Sequence, residues 1–184
     1  MSHSFYSREE LKNLGLKSYG QDILISRKAS IYSPGEIELG DHVRIDDFCI
    51  LSGKIRMGSY IHISAYVAFY AAYGIEVDDY ATISGRVLIY SQNDDYSGEF
   101  LTNPMVPAEI TNVTGGKVKI GKYVIIGAGS VILPDLVIGE GVAVGAMSLV
   151  NKNLDPWMIY GGVPVRVIRE RSRKLLNKLK KDWH

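Results

Sequence analysis

From Val118 to Val150 one branched aliphatic side chain recurs every six residues, at Ile120, Ile126, Ile132, Ile138, Val144 and Val150. An α-helix brings apolar residues back at three and four, and a half-buried strand alternates by two, so a period of six excludes both as the organising element. Four places after each large residue stand Val124, Ser130, Leu136, Val142, Ser148 and Leu154, and Gly121, Gly127, Gly139 and Gly145 stand one place after. A unit with a large inward residue, a smaller inward residue and a permissive turn residue describes one short face of a triangular parallel β-helix. Three units make a coil of about eighteen residues, with hydrogen bonds running between coils and equivalent side chains stacked in columns.

The same count begins more loosely upstream. Ile25, Ile31 and Ile37 form one series, and a two-residue shift starts a second at Leu39, Ile45, Leu51, Met57, Ile63 and Phe69. A further shift leads to Val77, Ile83 and Ile89, and each shift is expected to bulge one corner of the prism. Between Ser91 and Gly116 the period vanishes for 26 residues, an excursion long enough to suggest function. Ser7 and Glu10 form a capping box for a helix from Ser7 to about Leu14, stopped at Gly15. Asn153 to Val165, with Pro156, Gly161, Gly162 and Pro164, is expected to leave the prism along a turning path, and residues 168–182 to form a basic amphipathic helix. The chain is therefore read as a single all-β domain over 1–184: a cap over 1–22, a β-helix over 23–154 with an inserted loop at 91–116, and an extension with a C-terminal helix over 155–184.

Composition narrows the function. With 21 basic and 20 acidic residues the net charge is +1, which gives no bias toward nucleic acid or an anionic membrane. Cys49 is the lone cysteine, so no internal disulfide framework exists. No apolar run of membrane-spanning length and no signal-peptide pattern occurs, which sets a cytoplasmic location as the expectation.

The hexads over 23–154, the late loop and the ending Gly161-Gly162-Val163-Pro164-Val165-Arg166-Val167-Ile168-Arg169 resemble the hexapeptide-repeat acetyltransferases. The likeness is to the branch similar to galactoside and maltose O-acetyltransferases and the sugar acetyltransferases of surface-polysaccharide pathways. The resemblance implies a left-handed coil, a homotrimer, acetyl-CoA as donor, and active sites in clefts between neighbouring prisms. Carried onto matching positions, it places the CoA arm and its phosphates against Gly127, Ala128, Gly145, Ala146, Asn151, Lys152, Arg166 and Arg169. Small residues give a ligand room near the backbone and cations suit phosphates, so the chemistry agrees in part.

The departure from those relatives lies in the loop. O-acetyltransferases of this kind place a histidine there as general base, because a sugar hydroxyl must lose its proton as it attacks a thioester. Here the matching stretch is Ser91-Gln92-Asn93-Asp94-Asp95-Tyr96, and no histidine stands between 63 and 183. Two readings follow. In the first, the acceptor is an amino group on a nucleotide-linked sugar, which needs no strong base; Asp94 or Asp95 holds it and removes a proton late, and in this reading as in the other the Asn93 amide or backbone N–H groups stabilise the oxyanion. In the second, the acceptor is a hydroxyl and outward-facing His62 is the base, oriented by Asp94 or Asp95. Asp94-Asp95 beside Ser97-Gly98 is equally ordinary turn chemistry. His42 and His62, 20 residues apart, could stack on one face, but a zinc centre would need a third histidine beside them, and no metal is expected. A non-catalytic scaffold would leave the loop without purpose.

Overall fold

A computed structural model describes residues 4–179 and shows a parallel β-helix with three faces. The first face stacks the strands Leu24–Ile25, Val43–Ile45, Ile61–Ile63, Thr82–Ile83, Ile125–Ile126, Ala143–Val144 and Met158–Gly161, all parallel. The second stacks Ser30–Tyr32 on the start of Ile50–Met57, then on the start of Ala68–Val77, Leu88–Tyr90, Val131–Ile132 and Leu149–Val150. The third runs through Ile37–Leu39, the later parts of the two long strands, Val118–Ile120 and Val137–Ile138.

The stacking explains the period. Along each column the same position faces inward in every coil, and Ile25, Ile45, Ile63, Ile83 and Ile126 are all fully buried in one of them. Each such side chain contributes about 1.5–3 kcal/mol by leaving water. Ser130 and Ser148 occupy inward positions as the spacing required, and their hydroxyls both donate to the Gly145 carbonyl, at 3.1 and 2.7 Å. A buried hydroxyl is tolerated because it is paired.

The irregular insertions share one corner. Ile31 to Leu39 and Phe69 to Val77 take two residues more than the regular step from Leu51 to Met57, and all three steps pass from the second face to the third. The loop leaves and returns at this same corner. It is not structureless: Gln92–Asn93 pairs antiparallel with Thr114–Gly115 as a stem, and Ala108–Ile110 forms a 3-10 turn within it.

Three expectations need correction. The repeated glycines are not the turn residues. The left-handed corner conformation falls two places later, at Tyr123, Gly129, Asp135, Gly141 and Met147. Gly121, Gly127 and Gly139 are instead steric, since a Cβ at Gly127 would lie 2.4 Å from the Ala146 amide nitrogen. Secondly, the C-terminal helix begins well after residue 168. Arg166–Glu170 is a strand folding back antiparallel onto Met158–Gly161, and helix is confined to Leu176–Leu179; residues 180–182 lie outside the described part. The open edge of the last first-face strand offers hydrogen bonds that outweigh a weak helical pattern. Thirdly, His42 and His62 do not stack: His42 lies on Tyr60 at a corner, with 4.6 Å between ring centroids, while His62 sits mid-face in register with Arg44 and Thr82.

The N-terminal helix, α1 (Arg8–Asn13), has the capping box read from Ser7 and Glu10. Glu10 also pairs both oxygens with Arg27, tying the cap to the first coil.

Candidate active site

The three faces carry different outer surfaces. On the third, Glu38, Arg56, Glu76 and Lys119 alternate in sign along one column, an arrangement suited to water. The second is apolar and aromatic, with Ile50, Leu88, Val131, Leu149, Tyr70 and Tyr90 half-buried along it. The corner between the first and second faces carries exposed Phe48, Tyr66, Met147 and Val163. Large apolar groups concentrated on one side of a prism mark that side for a partner or ligand.

Where the second face meets the loop, Tyr70, Tyr90, Gln92, Asn93, Asp94, Tyr96, Val131 and Leu133 line a cavity of about 410 Å³. Tyr70 and Tyr90 stack with centroids 5.0 Å apart. Burial pushes the Tyr90 phenol above its ordinary range, helped by Tyr70 and Tyr96. Asn93 and Asp94 therefore sit on this cavity, whereas Asp95 does not line it. The Asp95 carboxylate accepts from the Ser97 hydroxyl at 2.9 Å and the Gly98 amide at 3.0 Å, bonds that hold it below the usual carboxylate range. Asp95 is thus a turn-forming residue.

His62 stands on the first face, opposite the corner from which the loop emerges. Within one chain its partner is neither loop aspartate. Its Nε2 lies 2.8 Å from Asp46 Oδ2, and Arg44 Nε donates to Asp46 Oδ1 at 2.7 Å. Burial would raise the Asp46 carboxyl, but the hydrogen bonds from His62 and Arg44 outweigh it and hold it below the ordinary range. The orienting residue was missed in the sequence because it stands 16 positions away. It becomes a neighbour only because successive coils are 18 residues apart at this level, as Ile45 pairs with Ile63.

The residues expected to hold CoA do not form one patch in a single chain. Gly127, Ala128, Gly145 and Ala146 stack at the corner between first and second faces, where the Met147 amide donates to the Ala128 carbonyl at 2.8 Å. Asn151 and Lys152 are exposed at the opposite corner of the second face, and Arg166 and Arg169 are exposed on the returning strand. No group of three or more metal-ligating side chains exists among the described residues.

A solenoid of stacked three-faced coils with a long loop and a cavity at that loop is the architecture of the hexapeptide-repeat proteins. Comparison with known proteins agrees. The family described as bacterial transferase hexapeptide (six repeats) matches residues 117–152. The dTDP-4-amino-4,6-dideoxy-D-glucose acyltransferase of Escherichia coli is 47% identical over 170 residues, covering 91% of this chain and 88% of that protein. AntD, an N-acyltransferase from Bacillus cereus solved with dTDP and 3-hydroxybutyryl-CoA, is 56% identical over 98% of this chain and 96% of its own, with a TM-score of 0.95. The galactoside O-acetyltransferase of Escherichia coli K12 is 36% identical over 117 residues, 61% of this chain and 55% of that one.

The chain belongs to the hexapeptide-repeat transferase family, within its sugar acyltransferases, and is an acyl-CoA-dependent enzyme. AntD has also been solved as S84A with dTDP-4-amino-4,6-dideoxyglucose and coenzyme A, and as D94N with dTDP and coenzyme A. This chain has Ser84 and Asp94 at those same two numbers. Ser84 was not singled out from the sequence, where it reads as one more small residue after an inward isoleucine. It is half-buried, and its amide donates to the Ile126 carbonyl at 2.9 Å as the first face turns its corner.

Proposed function

We propose that this enzyme transfers an acyl group from acyl-CoA to the amino group of a dTDP-linked 4-amino-4,6-dideoxy sugar. The observation that carries the reading is the replacement of the loop histidine by Asp94 on the Tyr70–Tyr90 cavity. A carboxylate pairs with an amino group and holds it for attack, whereas a hydroxyl gives it no such partner and would need a strong base placed beside it. Support comes from AntD and the Escherichia coli acyltransferase, whose substrate is an amino sugar of this kind. The acyl group is acetyl in the reading from sequence; the 3-hydroxybutyryl-CoA bound by AntD makes a longer acyl chain the second candidate.

The site is completed between copies. Ser84 closes a first-face strand, while Asp94 follows a second-face strand and rises from the opposite corner. Three prisms packed first face to second face around the apolar corner bring Asp94 of one copy toward Ser84 and His62 of the next, and form a closed trimer. Gly127, Ala128, Gly145 and Ala146 of one copy, with Asn151 and Lys152 of another, then flank one slot for the pantetheine arm, and Arg166 and Arg169 meet its phosphates. Nucleotide sugars and acyl-CoA are cytoplasmic metabolites, so the enzyme works in the cytoplasm, and its product feeds surface-polysaccharide assembly.

The test is a screen of thiol release from acetyl-CoA and 3-hydroxybutyryl-CoA against dTDP-4-amino-4,6-dideoxyglucose and against simple glycosides. Turnover confined to the amino sugar supports the reading, and turnover of glycosides alone overturns it.

A further inference from the structure

The aspartate on the loop leaves a second pair of titratable groups without a role. Of the histidines that can be described, His42 is engaged with Asp22 and Tyr60, and His62 faces outward in the middle of the first face. The His62 ring is 42% exposed, yet the carboxylate that holds it is only 18% exposed. Asp46 is fixed from its other side by Arg44, so the carboxylate cannot swing away and the imidazole is held through Nε2. That leaves Nδ1 as the nitrogen free to meet a ligand. The strand pairing puts His62 beside Thr82 in the coil above, two residues from the level of Ser84. An imidazole 42% exposed and pinned by a half-buried carboxylate that is itself held by Arg44 is an arrangement that fixes the ring toward the outside of the face.

We infer that His62 and Asp46 form a proton-accepting dyad for acyl transfer, with His62 Nδ1 as the acceptor and Asp46 as the positioning residue. The inference rests on the function proposed above and divides the work of the site: Asp94 of one copy holds the amino group, and His62 of the next takes its proton. As the amine nitrogen bonds to the thioester carbonyl carbon, one N–H proton passes to Nδ1, and Asp46 stabilises the imidazolium. Collapse of the tetrahedral intermediate breaks the C–S bond. The proton leaves with the CoA sulfur, so the products are an amide and a free thiol and the imidazole is restored. The groups that face the ring are Arg44 and Asp46 from the coil below and uncharged Thr82 from the coil above. Asp46 and Arg44 are therefore the charged groups beside it, and Asp46 is the one hydrogen-bonded to the ring.

The experiment uses the full-length enzyme and the variants His62→Asn and Asp46→Asn. With the amino sugar as acceptor, His62→Asn is expected to lower kcat about 100-fold or more with KM for either substrate changed less than about threefold. Asp46→Asn is expected to lower kcat by a smaller factor, again with KM nearly unchanged. A merely structural role would raise KM or lower thermal stability along with kcat. A kcat within twofold of the parent for His62→Asn, or a loss in Asp46→Asn that lies in KM, overturns the inference. A second readout needs no acceptor: the His62 ring signals in nuclear magnetic resonance are expected to shift when coenzyme A is added. Failure of those signals to respond to saturating coenzyme A overturns the dyad, whereas failure of the substrate screen alone overturns only the acceptor assignment.

Discussion

The amide of Gly116 donates to the carbonyl of Ser91 at 3.0 Å, so the loop leaves and rejoins the prism at nearly one point. Ser91 is itself buried, and its hydroxyl accepts from the Tyr73 amide at 2.9 Å while donating to the Tyr70 carbonyl. The coil is closed beneath the loop. Replacing residues 96–111 by a short Gly-Ser link is expected to leave the melting temperature within a few degrees, because doubling a loop costs only about 0.6 kcal/mol. Acyl transfer is expected to fall below detection. Calorimetry and thiol-release rates check the two halves separately.

The two loop aspartates are expected to behave differently. Asp94→Asn removes the charge on the cavity and should lower kcat about 100-fold. Asp95→Asn weakens a turn held by Ser97 and Gly98 and should cost less than about tenfold, in KM more than in kcat. Steady-state kinetics of both variants with the amino sugar decide the matter, and the reverse order would transfer the role to Asp95.

Glycines in the repeat separate by what a methyl group would meet. At Gly127 it would strike the backbone of the next coil, so Gly127→Ala is expected to destabilise by about 1–3 kcal/mol. At Gly35 no heavy atom lies within 4 Å, and Gly35→Ala is expected to change stability by less than about 0.5 kcal/mol. Denaturant titration of the pair measures both.

The N-terminal cap carries its own acid dependence. Hydrogen bonds from the Arg27 guanidinium, and next from the Ser7 amide, hold Glu10 at about 2, against an ordinary value of 4.5. A carboxyl depressed on folding contributes fully above its unfolded value, and the contribution fades as pH falls from about 4.5 toward 2. The protection of the α1 amides, taken relative to the free-peptide exchange rate at each pH, is expected to fall across that window in the parent. In Glu10→Gln the amides should exchange fast at pH 7 and show no such step.

Much of the fold was legible because the β-helix writes its geometry into the sequence one column at a time. Inward Ile120, Ile126 and Ile132 need no knowledge of distant contacts to be recognised, and a capping box such as Ser7 with Glu10 is local by nature. What failed depends on relationships between coils. Gly121 and Gly127 looked like turn residues because glycine serves both conformational freedom and close approach, and only the neighbouring coil shows which. Ile168 fitted a helical pattern, yet lies on a strand because an unpaired edge was waiting beside it. The site was half legible: Asp94 stood out through the missing histidine, whereas Asp46 gained meaning only when stacking placed it under His62.

The claim that a working site needs two copies can be measured by mixing dead variants. Ser84→Tyr would block the first-face wall, and Asp94→Ala would disarm the loop wall. Each protein alone should be inactive, and unfolding and refolding the two together in equal amounts should restore about a quarter of the parental rate, since about one interface in four then joins two intact walls. A refolded mixture no more active than either variant alone would contradict a site shared between neighbouring prisms.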